Sequence, residues 1–215
     1  MKIAFLHTLE ANVSLFTPYI AAYLPGVPVH HCVHEHLLKG AMSDGTESVR
    51  EDVNQAVKAL VQQGFDTIIC SCSTIGGLTE EVSVSSGISV LRVDRPMAEA
   101  TLGYSKILLL AAVESTFEPS MRLLRQVNKA IDLTVDTTLI EGAWQYYSIG
   151  DTEGYIKFIA EYLMRLKSSS ICDEYDVILL AQASMAPALR YIKKSNQPPI
   201  YSSPELCLQY LQSNL

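Results

Sequence analysis

The chain has 215 residues, 48% of them hydrophobic and 18% charged, with a formal net charge of −7. That suffices for one large α/β domain or two small ones around a sizeable core. The acidic balance argues against nucleic acid and anionic membranes as partners. No apolar run approaches the ~20 residues of a membrane span, and five cysteines in no disulfide-like spacing fit a reducing cytoplasm.

The opening Met1-Lys2-Ile3-Ala4-Phe5-Leu6-His7 is too short for a signal peptide and reads as a buried first strand. From there short apolar runs alternate with amphipathic stretches, the pattern of βαβ units and parallel strands. Strands are predicted at 2–6, 27–33, 67–70 and 89–93, and again at 106–111, 133–139, 177–180 and 199–201. Helices of roughly a dozen residues should follow the first and fifth strands. Val49, Val53, Val57 and Leu60 give 47–63 one apolar helical face, and Ile156, Ile159, Leu163 and Leu166 do the same for 151–167. Asp151 is a candidate N-cap. A third helix in each half should begin near Gly76 and near Pro187, while Pro96 and Pro204 suit first helical turns.

The order is that of a duplication. Phe65-Asp66-Thr67-Ile68-Ile69-Cys70-Ser71-Cys72-Ser73-Thr74 returns about 110 residues later as Tyr175-Asp176-Val177-Ile178-Leu179-Leu180-Ala181-Gln182-Ala183-Ser184. The expected fold class is α/β: two pseudo-symmetric Rossmann-like or flavodoxin-like lobes, each with a four-stranded parallel sheet and with the active site between them. The lobes are expected at 1–98 and 99–203, with a C-terminal helix within 204–215 packing back on the first.

Ligands of open α/β sheets bind beyond the carboxyl ends of the strands. Cys72 falls there, just before a helix start, where free N–H groups and the helix dipole favour a thiolate. Ser71, Ser73 and Thr74 surround it with hydroxyls suited to a carboxylate. Gln182 is its counterpart in the second copy. Cys70 lies inside the apolar run, where a cysteine is usually inert core; Cys32, Cys172 and Cys207 match no motif. His7 and Thr8 end the first strand. Ser115 and Thr116 follow the fifth at a helix start, where N-capping and anion binding are both open. Ala183, Ser184 and Met185 follow Gln182 and should line a second wall.

Cys72-Ser73-Thr74 after an apolar strand resembles the first catalytic cysteine motif of the aspartate/glutamate/hydantoin racemase superfamily. Leu180-Ala181-Gln182-Ala183-Ser184-Met185-Ala186 resembles its second cysteine motif, with Gln182 in the cysteine's place. Ile3-Ala4-Phe5-Leu6-His7-Thr8 and Ser202-Ser203-Pro204-Glu205 extend the resemblance over nearly the whole chain. It implies chemistry without a cofactor or metal, in which two thiols on opposite faces of a carbon act as acid and base. An amide cannot take or give a proton near neutral pH, although it can hold a carboxylate by hydrogen bonds. The expected enzyme therefore acts on a small carboxylate or cyclic amide with Cys72 as its one thiol and Gln182 orienting the substrate across the cleft. The rival is a non-catalytic protein that binds or senses a small acid. A homo-oligomer, first of all a dimer, is the expected assembly.

His30-His31-Cys32-Val33-His34-Glu35-His36 would place His30, Cys32, His34 and His36 on one face of a strand, but alternation alone does not converge four ligands, and a polar strand end is the plainer reading. Asp94-Arg95 suggests a surface ion pair or a hinge. Ala143-Trp144-Gln145-Tyr146-Tyr147, with the only tryptophan, suggests packing or a subunit interface.

Overall fold

The computed structural model describes residues 2–86, 88–129, 132–193 and 198–214. The chain divides into two compact units, Met1–Pro96 with Pro204–Leu215, and Met97–Ser203. In the first, β1 (Ile3–His7), β2 (Val29–Val33), β3 (Thr67–Cys70) and β4 (Ser89–Arg92) form a parallel sheet in the order β2-β1-β3-β4. In the second, β5 (Lys106–Ala111), β6 (Thr134–Leu139), β7 (Val177–Leu180) and β8 (Ile200–Ser202) form another in the order β6-β5-β7-β8. The predicted α/β class with two four-stranded parallel sheets is what the chain adopts.

The register repeats as well. Ile3 pairs with Val29 and Thr67, and Ile107 pairs with Val135 and Val177. The recurring Asp has a structural task at this place. Asp66 accepts a hydrogen bond from the Lys2 N–H at 3.0 Å, and Asp176 accepts from the Ser105 and Lys106 N–H groups, each at 2.8 Å. Each carboxylate thus closes the start of the neighbouring central strand. The backbone donors hold Asp176 below the usual carboxylate range.

The helices are α1 (Ala11–Tyr23), α2 (Glu35–Asp44), α3 (Arg50–Gln62), α4 (Ser73–Ser86), α5 (Arg95–Glu99), α6 (Phe117–Val127), α7 (Ala143–Ser148), α8 (Thr152–Lys167) and α9 (Ser203–Asn214). Val53, Val57 and Leu60 of α3 pack on Ala4, Leu6 and Ile68 of the first sheet or on the neighbouring apolar cluster. Ile156, Ile159 and Leu163 of α8 pack on Leu108, Leu110, Ile178 and Leu180 of the second. Asp151 caps α8, its Oδ1 accepting from the Gly154 N–H at 2.9 Å. In the first unit α9 is tied to α1 by the Tyr23 hydroxyl, which donates to Glu205 Oε1 at 2.8 Å.

Four expectations need correction. The predicted strand at 27–33 starts at Val29, since Pro28 has no N–H to give to a ladder. The helix predicted at 47–63 is a 3-10 turn, Thr46–Val49, followed by α3, and α2 precedes it without having been predicted. The helix expected near Pro187 is instead a 3-10 segment, Ala183–Tyr191, in which Pro187 cannot supply an amide. Asp94 and Arg95 do not form a surface pair with each other. Asp94 binds Arg92 in the interior, and Arg95 binds Glu80.

That interior pair matters for the first unit. Arg92 Nε and Nη2 donate to Asp94 Oδ1 and Oδ2 at 2.6 and 2.8 Å, and the two side chains are 3% and 2% exposed. A second, longer bond at 3.4 Å runs from Arg92 Nη2 to the Ser73 carbonyl at the start of α4. Room for the guanidinium comes from Gly76, where a Cβ would lie 2.9 Å from Arg92 Nε and 3.0 Å from Arg92 Cβ.

Removing one partner strands the other's charge in the interior. Asp94→Ala should lower the unfolding free energy by about 3–5 kcal/mol, measured by urea denaturation. The Arg92→Leu, Asp94→Leu double variant should lose less than Asp94→Leu alone. Gly76→Ala should cost about 1–3 kcal/mol by crowding the same side chain.

Candidate functional site

In the first unit the carboxyl ends of β1 and β3 bring several of the sequence-predicted residues together. Ser71 continues the ladder beyond β3, its N–H donating to the Leu6 carbonyl at 3.0 Å. The residues of β1 and β3 then alternate between two faces. His7 and Ser71 share the face that carries Phe5 and, from α1, Phe16. His7 Nδ1 lies 2.8 Å from Ser71 Oγ, and His7 Nε2 lies 2.8 Å from His31 Nδ1. The two imidazoles are stacked, with centroids 5.1 Å apart and planes at 14°. Asn12 of α1 donates from Nδ2 to Ser71 Oγ at 3.4 Å, while its buried Oδ1 has no hydrogen-bond partner among the described residues. Burial, with His31 alongside, lowers the His7 pKa from 6.5 to about 3.

Cys72 lies immediately before Ser73, the first residue of α4, as the motif predicted. It is 9% exposed and packs with Leu37, Leu38, Val49, Cys70, Ile75 and Leu78, on the α2 and α4 side. Ser73 and Thr74 are buried beside it, and Thr8 is buried at the end of β1. Cys70 is fully buried, and its thiol donates to the Cys72 carbonyl at 3.5 Å. Burial, then the neighbouring Cys72, pushes the Cys70 thiol up to about 12. It therefore stays protonated at neutral pH.

In the second unit Gln182 follows β7 at the position equivalent to Cys72. Its Oε1 accepts from the Ala112 N–H at 2.6 Å and from the Val113 N–H at 3.1 Å, just beyond β5. The amide oxygen thus fills two donors at a strand end. Ser184 Oγ lies 3.0 Å from the hydroxyl of the fully buried Tyr155, whose phenol burial pushes up. Ala183 is buried, and Met185 is fully buried in the apolar core with Ile140 and Tyr155. Ser115 and Thr116 fall in the short 3-10 turn Glu114–Thr116 before α6. Thr116 stands at the α6 N-cap position without a side-chain cap bond, and Ser115 Oγ is buried without a hydrogen-bond partner among the described residues.

The histidine-rich stretch does not run as one strand. β2 ends at Val33 and α2 starts at Glu35, so His36 lies on a helix. His30 stacks on Phe65 at 5.1 Å, His31 faces His7, and Cys32 Sγ lies 3.0 Å from His34 Nε2. Among the described residues no group of three or more His, Cys, Asp or Glu is arranged to hold a metal ion. No helix among them is long and apolar enough to cross a membrane.

Sequence reasoning missed Arg92, Asn12, His31 and Tyr155. Arg92 and Asp94 had a legible signal, since opposite charges two residues apart at the end of a strand share one face. His31 had another, for the β2 register places it beside Phe5.

No family model and no curated protein matches the sequence. Solved structures do. The fold is that of the glutamate and aspartate racemases. Glutamate racemase isoform RacE1 from Bacillus anthracis is similar over 99% of this chain and 80% of its own, with a TM-score of 0.74 and 19% identity. Picrophilus torridus aspartate racemase is similar over 99% of this chain and 94% of its own, with a TM-score of 0.70 and 17% identity. A mutant of arylmalonate decarboxylase in a sulfate-associated form has a TM-score of 0.61 at 15% identity, over 100% of this chain and 92% of that one. At these identities the racemase likeness is one of fold.

Two measurements check this geometry. The folded pKa of His7 lies below its unfolded value, so between about pH 6.5 and about pH 3 the unfolded chain binds the extra proton. Stability should fall with acidification across that window, His7 contributing up to about 1.4 kcal/mol per pH unit. Urea titrations at several pH values should show this slope, and His7→Leu should flatten it. In the second unit Gln182→Ala would leave two N–H groups unpaired and should cost about 1–3 kcal/mol, whereas Gln182→Glu, which keeps an acceptor there, should cost less.

Proposed function

We propose that this chain is a cofactor-independent enzyme of proton transfer. It acts at the carbon beside the carboxylate or carbonyl of a small carboxylate or cyclic amide, and Cys72 is its acid/base thiol. The observation that carries this reading is the inequality of two equivalent strand ends. One presents Cys72 at the start of α4; the other presents Gln182, whose carbonyl is held by the Ala112 and Val113 N–H groups.

A helix start offers backbone N–H groups and the positive end of the dipole, which stabilise developing negative charge such as an enolate-like oxygen. Ser73 and Thr74 add hydroxyls at the same end, and Thr8 ends the neighbouring strand. The racemase and decarboxylase folds support chemistry at a carbon next to a carboxylate. With an amide in place of the second thiol, proton transfer is one-sided: Cys72 removes a proton and returns one to the same face. Racemisation in the two-base manner is not part of this reading. The packing of Cys72 among apolar side chains, at 9% exposure, favours a second reading, a small-acid binding protein without turnover.

The deciding experiment incubates the protein in deuterated water with a panel of aspartate, glutamate, hydantoins and arylmalonates, and follows the α-proton by NMR. One member should exchange with retention, and Cys72→Ser should slow it by at least about 100-fold. Aspartate and glutamate should show little inversion. Rapid inversion by the unmodified protein, or exchange indifferent to Cys72→Ser, would overturn the one-thiol reading. Ligand-induced thermal stabilisation without any exchange would select the binding protein.

A further inference from the structure

The histidines at the carboxyl end of the first sheet form a continuous hydrogen-bonded line that thiol chemistry alone does not require. It starts at His31, partly open to solvent on the edge strand β2. It passes through His7, which is completely buried, and ends at Ser71, one residue before Cys72. Both links are 2.8 Å long, and each joins atoms that can act as donor or acceptor. Burial requires partners for both His7 ring nitrogens, and here each partner can itself donate or accept, so the line can run in either direction. Phe5 and Phe16 flank the His7 ring, at 5.7 and 5.8 Å between centroids, and screen it from competing partners.

We propose that His31, His7 and Ser71 form a proton relay between solvent and the carboxyl end of the first sheet. His31 takes a proton at Nε2 and gives its Nδ1 proton to His7 Nε2. His7 gives its own Nδ1 proton to Ser71 Oγ. The Ser71 hydroxyl gives up the proton it held to the carboxylate of a small acid seated at the strand ends, which becomes the carboxylic acid. One proton has entered and one has left, and the line now points the other way, with Ser71 donating to His7 and His7 to His31. In that state it is set to carry the next proton outward. A reaction that removes a proton and returns one uses both directions in turn. The relay rests on the proton-transfer reading above for what it serves; the coupling between its members does not.

The coupling follows from donor counting. A charged His31 has a proton on both nitrogens, so His7 Nε2 must accept, and His7 must carry its proton on Nδ1. Charging His31 therefore fixes the direction of the whole line. The titratable groups that face His31 are His7 on β1, His30 on its own strand and Glu10 before α1. Burial and His30 lower the His31 pKa from its ordinary 6.5, and Glu10 opposes them. Burial, with His31 alongside, keeps His7 neutral near neutral pH.

Nitrogen-15 NMR of the imidazole rings in the full chain, from about pH 8 to about pH 5, tests this directly. His7 should remain neutral and should become the Nδ1–H tautomer in step with the charging of His31. In His31→Phe that tautomer should no longer respond to pH. Ser71→Ala keeps both rings and should retain the coupling between them, which provides a check should His31→Phe fold poorly. A His7 tautomer indifferent to His31, or a His7 that itself titrates near 6.5, overturns the relay.

The catalytic arm uses whichever acid exchanges in the deuterium experiment. His31→Phe should slow exchange by about 100-fold with little change in KM, and free imidazole should restore it. Loss of rate without imidazole rescue would mark His31 as merely structural. If exchange ignores Cys72→Ser while the two histidines titrate together, the thiol reading fails and the relay stands. If exchange needs Cys72 but His7 ignores His31, the relay alone fails.

Discussion

A guanidinium and a carboxylate that are 3% and 2% exposed must satisfy each other, and Arg92 and Asp94 do so through two parallel hydrogen bonds. The pair fixes more than its own atoms. Arg92 reaches the Ser73 carbonyl, so the turn holding Cys72 leans on a charge that cannot relax into water. Gly76 must stay small for the guanidinium to lie beneath α4. The strand β4 that carries Arg92 is hydrogen-bonded to β3, whose end carries Ser71 and Cys72. Sheet, helix start and thiol are thereby held in one frame.

The two copies keep the same frame and diverge in what fills it. In one copy the residue after the third strand and its linker is a thiol at the first turn of a long helix. In the other it is an amide whose oxygen occupies two backbone donors, and the helix is replaced by a 3-10 segment containing Pro187. Duplication doubles the strand ends but not the chemistry. The polar line of His31, His7 and Ser71 has no counterpart at equivalent positions of the second unit, where β5 ends in Leu110 and Ala111 instead of a histidine.

The central strands were legible in the sequence because parallel strands buried on both faces leave unbroken apolar runs, and those of β1, β3, β5 and β7 fell in the same order twice. Cys72 was legible because a strand end followed by small polar residues announces a helix start. The elements that escaped were those decided by contacts rather than by pattern. The helix α2 begins within a stretch of histidines whose spacing also suits a strand, and only Leu37, Leu38 and Ala41 bury its face. The partner of Asp94 was misjudged because adjacency suggested Arg95, whereas strand alternation puts Arg92 on the same side. No local pattern reports that Gln182 reaches across to the residues after β5, since that bond joins positions about 70 apart.

The first unit is discontinuous in the chain. Its last helix, α9, is separated from the rest by the entire second unit, yet Cys207 and Leu208 are fully buried and Tyr23 binds Glu205. Synthesis proceeds from the N-terminus, so residues 97–203 are complete before α9 exists. The earlier part of the first unit must therefore wait with the face that α9 will cover still open to water. A chain truncated before α9 would leave that apolar face uncovered for good, and exposed apolar surface of this kind promotes self-association.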